Sequence, residues 1–243
     1  MRSAAAVIAM AQPAIVLRDV RKSFPLADGG GLEVLDVEHL TLPVGTCTIL
    51  RGRSGSGKST LLNLIAGVAL PSAGVISVHD VDLSALPEAH RDRFRARHIG
   101  YVFQSFNLLA AFSAIENVML AMTFAGVVPR RLQQSRAAEL LERLGLAARL
   151  THRPQHLSRG EQQRVAIARA LANNPPIILA DEPCASLDMK TASEVLALFL
   201  AACRQDGKTL LIASHDIAAL GEADRILEMP DVNRAEAGRA AAR

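Results

Sequence analysis

Gly52-Arg53-Ser54-Gly55-Ser56-Gly57-Lys58-Ser59, entered from the apolar run 46–50 and left through residues 58–66, decides the fold. The stretch fits G-x-x-x-x-G-K-[ST] at every fixed position. Its glycines let backbone N–H groups curl around phosphate oxygens. Lys58 is then placed to reach β- and γ-phosphates, and the Ser59 hydroxyl to bind Mg²⁺. A helix starting at Lys58 adds the positive end of its dipole to the same spot. Gly67 is well placed to end that helix. Strand, glycine loop and helix in succession is the setting in which such a loop binds phosphate.

Working outward, Ile177-Ile178-Leu179-Ala180-Asp181-Glu182 is a second buried strand, and it delivers two carboxylates at its end. Asp181 is expected on the Mg²⁺ side, and Glu182 beside it is placed to polarise an attacking water. Buried acids at a strand end are costly without a cation or water to satisfy them. Residues 209–213 form another continuous apolar run, and 159–172 and 195–202 read as helices between the strands. Such alternation implies a mostly parallel sheet covered on both faces. Residues 15–24 and 32–42 read as early strands joined by a glycine-rich loop, and 88–155 as mostly helical. Within the latter, Ala137, Leu140, Leu141 and Leu144 share a face, and Glu139 is spaced to pair with Arg143. Arg91, Arg93, Arg95 and Arg97 read as a solvated helix surface.

Composition narrows the function classes. The chain has 243 residues, half of them hydrophobic, ample for a large core. A net charge of +3 is a mild excess, and aromatic residues make up only 3%, with no Trp. That excludes a protein built to stack on many bases, so no nucleic-acid partner is expected. Cys47, Cys184 and Cys203 follow no metal-ligand spacing and read as reduced thiols. The apolar stretch 4–11 resembles a short signal peptide, but it has a single Arg before it and runs into a strand, so export is rejected. No run elsewhere approaches the ~20 apolar residues of a membrane span. The Ala- and Arg-rich stretch 229–243 is expected to be poorly ordered.

Leu157-Ser158-Arg159-Gly160-Glu161-Gln162-Gln163-Arg164 opens a helix. Ser158 and Glu161 have the spacing of a capping box, which accounts for both residues. The other reading is a helix N-terminus where Ser158 and Gly160 offer donors to an anion. His215 follows a buried strand, and a lone His there proves little.

Taken together, residues 14–228 resemble the nucleotide-binding domains of the ABC transporter superfamily, and the signature-like segment 157–164 is the distinctive element. The resemblance implies an α/β fold of the P-loop NTPase kind. It would have a mostly parallel core (14–87 and 156–228), an N-terminal antiparallel β portion and an α-helical subdomain (88–155). It also implies that Phe24 stacks on adenine and that Gly55, Gly57, Lys58, Ser59 and Thr60 hold phosphates and Mg²⁺. Gln104, in Tyr101-Val102-Phe103-Gln104, would touch the metal and sense a membrane subunit. Asp188 would cross a dimer interface, and His215 would stand at the γ-phosphate. On this pattern Ser158 and Gly160, with Glu161 beside them, cap a γ-phosphate held by a second copy. Four positions depart from the pattern: Phe24 for Tyr, Arg159 for the first signature glycine, Glu161 for Gln and Cys184 for Thr. Within the superfamily, Lys22-Ser23-Phe24-Pro25, the segment 103–109 and Ile115-Glu116-Asn117-Val118 resemble the macrolide-export and lipoprotein-release group. The expected activity is ATP hydrolysis coupled to transport through a separate transmembrane permease. The chain would act as a head-to-tail dimer on the cytoplasmic face of a bacterial-type membrane. A division-type complex that regulates a cell-wall hydrolase is the alternative use. A soluble ATPase of DNA repair or translation would bring a coiled-coil insertion or a second nucleotide domain, and the sequence has neither.

Overall fold

The computed structural model describes residues 13–26, 29–214 and 223–235. Two sheets form its frame. Strands β1 (Pro13–Pro25), β2 (Gly31–Pro43), β4 (Ala73–Val78) and β5 (Val81–Asp82) make an antiparallel sheet in the order β2-β1-β4-β5. Strands β3 (Cys47–Arg51), β6 (Ile99–Val102), β7 (Ile177–Asp181), β8 (Thr209–Ala213) and β9 (Arg225–Glu228) make a parallel sheet in the order β6-β7-β8-β3-β9. The early antiparallel portion and the parallel core are therefore both present.

Every residue of β7 and β8 is buried, which is why both strands read as unbroken apolar runs. Their side chains still alternate between two cores. Ile178, Ala180, Leu210 and Ile212 join the core formed with helices α3 (Ala114–Ala125), α4 (Arg130–Arg143), α5 (Arg159–Leu171) and α6 (Met189–Gln205). Ile177, Leu179, Leu211 and Ala213 join the opposite core, shared with helix α1 (Lys58–Ile65) and the antiparallel sheet. Alternate side chains of a strand point to opposite faces, so one strand feeds both cores.

Three sequence expectations change. The stretch 88–155 is mostly helical, but it also gives a strand to the parallel core. Helix α2 (Glu88–His98) leads into β6, which pairs with β7 as the edge of the parallel sheet. Gly100 permits this: a Cβ there would lie 2.3 Å from the Ala170 carbonyl oxygen of α5. Glu139 pairs with Arg136 instead of Arg143, and Arg143 reaches across to Asp206. The C-terminal stretch is structured through Ala235. A short helix α7 (Met229–Val232) is followed by Asn233, and both Met229 and Asn233 are fully buried. Tail composition did not reveal this because the docking partners lie on β2 and the phosphate loop. Among the described residues, no helix is long and apolar enough to cross a membrane.

Candidate active site

The carboxyl ends of β3, β8 and β7 lie level, because Leu50 and Asp181 both pair with Ala213. In an open parallel sheet this is the edge where ligands bind. β3 leads into the phosphate loop and β7 ends at the two carboxylates, so a single strand separates them.

The loop is shaped by its own backbone. Gly55 and Gly57 have φ of +78° and +100°, the region open mainly to glycine. Gly57 is the N-cap of α1 and offers it no side-chain cap, leaving the helix start available to an anion. Lys58 is buried, and its Nζ donates to the carbonyls of Gly52 (2.7 Å) and Arg53 (3.2 Å). The same Nζ lies 3.4 Å from Oε1 of Glu182. Glu182 has φ +47° and donates its N–H to Ala213 at 2.8 Å, a constrained backbone that aims its carboxylate at the loop. Asp181 is buried, and its Oδ1 has no hydrogen-bond partner. Burial pushes its pKa up and the Glu182 charge adds to this, while a hydrogen bond with Ser59 and the Lys58 charge oppose it.

The loop, Gln104 and Glu182 enclose a cavity of about 540 Å³, within the range of small-molecule sites. Gly52, Arg53, Ser54, Gly55, Ser56, Gly57, Lys58, Ser59 and Thr60 all line it. Ser59, Gln104 and Asp181 offer oxygen donors of the kind a hard divalent cation takes. The buried, unpartnered Asp181 Oδ1 fits such a cation.

Other sequence-predicted residues lie outside this cavity wall. Phe24, at the end of β1, is 42% exposed, with Lys22 Nζ 5.1 Å from its ring centre. Ser158 caps α5: its Oγ accepts from the Glu161 N–H (3.2 Å), and Glu161 Oε2 accepts from the Ser158 N–H (2.7 Å). The other Glu161 oxygen accepts from Arg149 at 2.8 Å, and that bond is the first cause of its lowered pKa. Both Glu161 oxygens thus have partners within its own chain, and the capping box is formed. Gly160 is buried, and a Cβ there would lie 2.5 Å from Cγ2 of Thr191 on α6. Asp188 caps α6 by accepting from the Thr191 N–H at 3.0 Å, a bond that lowers its pKa. Arg159 reaches the Ser186 carbonyl at 3.3 Å, linking α5 to the loop before α6. Cys184 turns its Sγ toward the Ala192 carbonyl at 3.7 Å. His215 lies outside the described residues.

Sequence reading missed two supports of the site. Arg91 and Arg95 of α2 both donate to the Gly67 carbonyl just past the end of α1, at 3.0 and 3.2 Å. Asn233 donates to the Ser56 carbonyl inside the phosphate loop. Neither has a local pattern that would reveal it.

Comparison with known proteins agrees with this geometry. Residues 35–185 match the ABC transporter family. The lipoprotein-releasing system ATP-binding protein LolD of Novosphingobium aromaticivorans is 45% identical, over 90% of this chain and 97% of its own. The macrolide export ATP-binding/permease protein MacB of Rhodopseudomonas palustris is 41% identical over 91% of this chain, which spans only 34% of that larger protein. The dimeric post-hydrolysis structure of the ATP-binding cassette MJ0796, bound to ADP and Pi, superposes with a TM-score of 0.81. It is 37% identical, covering 88% of this chain and 93% of that one. With motif, sheet order and relatives agreeing along most of its length, the chain belongs to the ABC transporter family.

Proposed function

We propose that this chain is the ATP-hydrolysing subunit of a membrane transporter, working as a head-to-tail pair that drives export or extraction through a separate transmembrane subunit. The observation that carries the reading is Glu182 set 3.4 Å from Lys58 at the edge of the phosphate-loop cavity. One group is there to hold terminal phosphates and the other to take a proton beside them.

In this reading the loop amides and the start of α1 receive the phosphates, and Lys58 exchanges its two carbonyl partners for β- and γ-phosphate oxygens. Glu182 orients the attacking water and accepts its proton, so that catalysis is positioning plus charge. Ser59, Gln104 and Asp181 would hold Mg²⁺, which would supply charge neutralisation on the phosphates. Phe24 is the residue assigned to the adenine ring and His215 to the γ-phosphate. Ser158 and Gly160 do not line the Lys58 cavity of their own chain, which fits a contribution to the partner's nucleotide. Asp188 then lies between the two copies.

A second cavity, of about 490 Å³, is bounded by Tyr101, Phe103, Phe124 and Arg169 and adjoins Gln104 in sequence. Phe124 there is 83% exposed. A groove lined with aromatic rings, one residue along the chain from Gln104, suits a membrane subunit that must sense nucleotide. That would place the chain on the cytoplasmic face of the membrane. The resemblance to the lipoprotein-release and macrolide-export group favours substrates taken from or across the inner membrane.

Glu182→Gln tests the core of the reading. The variant should bind ATP, lose turnover and accumulate as a dimer in size-exclusion chromatography with Mg-ATP. Hydrolysis at the wild-type rate would remove Glu182 from the role of base. Purification from membranes should also bring down a partner with four spans and a large periplasmic domain. Recovery of ribosomes or DNA instead would sink the transport assignment.

A further inference from the structure

Asn233 lies at the C-terminal end of the described chain, immediately after α7, and is 0% exposed. Its side-chain amide ties together three separate parts of the chain. Nδ2 donates to the Ser56 carbonyl in the phosphate loop at 3.0 Å and to the Val34 carbonyl on β2 at 2.9 Å. Oδ1 accepts from the Asp36 N–H at 2.9 Å and from the Ala235 N–H at 3.2 Å. An asparagine amide has two donor hydrogens and a carbonyl that accepts twice, so every position is filled. Aspartate would oppose two carbonyls with a carboxylate, and alanine would remove all four of these hydrogen bonds, including the buried one to Ser56.

The bond to Ser56 bears directly on phosphate binding. The carbonyl of Ser56 and the N–H of Gly57 belong to one peptide unit, planar and trans, so they point in opposite directions. Holding the carbonyl toward Asn233 therefore turns the Gly57 N–H away from Asn233. Glycine at φ +100° rotates this peptide with little resistance, so the loop's own backbone does not fix it. Met229 supports the other end of the loop: a Cβ on Gly52 would lie 2.7 Å from the Met229 Cβ.

We propose that Asn233 is a positioning residue for nucleotide binding, locking the Ser56–Gly57 peptide so that the Gly57 N–H faces the phosphates. The docked segment 229–235 acts as a brace behind the phosphate loop. This deepens the ATPase reading and rests on it.

The test uses the full chain with ATP and ADP as probes. Asn233→Ala and Asn233→Asp should weaken binding of both nucleotides by about tenfold or more, the effect of one misaligned hydrogen bond to phosphate. KM for ATP should rise accordingly while kcat at saturating ATP stays within about twofold. Asn233→Ser, which keeps a small donor, should show an intermediate loss and faster amide exchange at residues 53–58. It also serves if the larger changes prevent folding. Arg234→Ala is the control. Arg234 lies in the same segment but pairs with Glu38 at the surface. Its loss should lower Tm without changing nucleotide affinity. If the Asn233 variants match Arg234→Ala, with Tm lowered and affinity, KM and loop exchange unchanged, the proposal is overturned and the residue merely stabilises. Failure of the wild type to bind ATP would instead overturn the function reading itself, so the two outcomes are separable.

Discussion

Asp181 ends a fully buried strand with one carboxylate oxygen unpartnered, and burial raises its pKa. A carboxylate whose folded pKa is raised is favourable to folding only while protonated. That contribution is complete below the unfolded pKa, about 4, and is lost as pH rises through the folded value. At neutral pH the wild type therefore carries the cost of a buried charge. Asp181→Asn should raise Tm by about 2–4 °C at pH 7 in buffer free of nucleotide and divalent ions. The gain should shrink toward pH 4, and ATPase activity should be lost throughout. Calorimetry that found no gain at pH 7 would mean that Asp181 is better satisfied than its orphaned oxygen indicates. The residue was legible in sequence as an acid at a strand end. Its missing partner was not, because satisfaction depends on what the neighbouring strand and loop bring near it.

At the scale of elements, α1 is asymmetric. Its N-terminus has no side-chain cap and faces the cavity, whereas Arg91 and Arg95 close its C-terminal end on the Gly67 carbonyl. Cations at a helix C-terminus complement the dipole, so α2 steadies the helix that presents the phosphate loop. Arg91 also donates to the Leu86 carbonyl at 2.8 Å. Arg91→Ala removes both hydrogen bonds and one of the two cations, and should cost about 1–2 kcal/mol, read as a lower urea midpoint with an unchanged m-value. An unchanged midpoint would show that Arg95 alone suffices. The sequence showed four arginines on a solvated helix, and α2 indeed has no buried residue. Which of them reach another helix's end depends on how α2 packs, and that is a tertiary fact. By contrast, the caps at Ser158 and Asp188 are local hydrogen bonds spanning three residues. The Ser158 cap was readable from spacing.

For the whole molecule, the open question at the active site is which chain completes it. Ser158 and Asp188 stand outside the Lys58 cavity, and a structural relative is a dimer with ADP and Pi. Ser158→Phe should therefore abolish steady-state ATPase activity while leaving the ATP dissociation constant within about threefold, apart from the ~1 kcal/mol of stability lost with the cap. Equal loss of binding and turnover would place Ser158 in its own chain's site. The amino-acid sequence by itself determined the phosphate loop, the strand that carries Asp181 and Glu182, the parallel core and the capped helix at Ser158. Each is written in a contiguous motif or in the alternation of apolar residues, and both are local properties of a chain. Only the tertiary structure decided that Ile99–Val102 is a sheet edge, that Arg91 and Arg95 serve α1, and that Asn233 holds the phosphate loop. Asn233 bonds residues 177 and 199 positions away. A buried amide is neutral in any periodic pattern, so its role exists only once distant backbone groups have been folded around it.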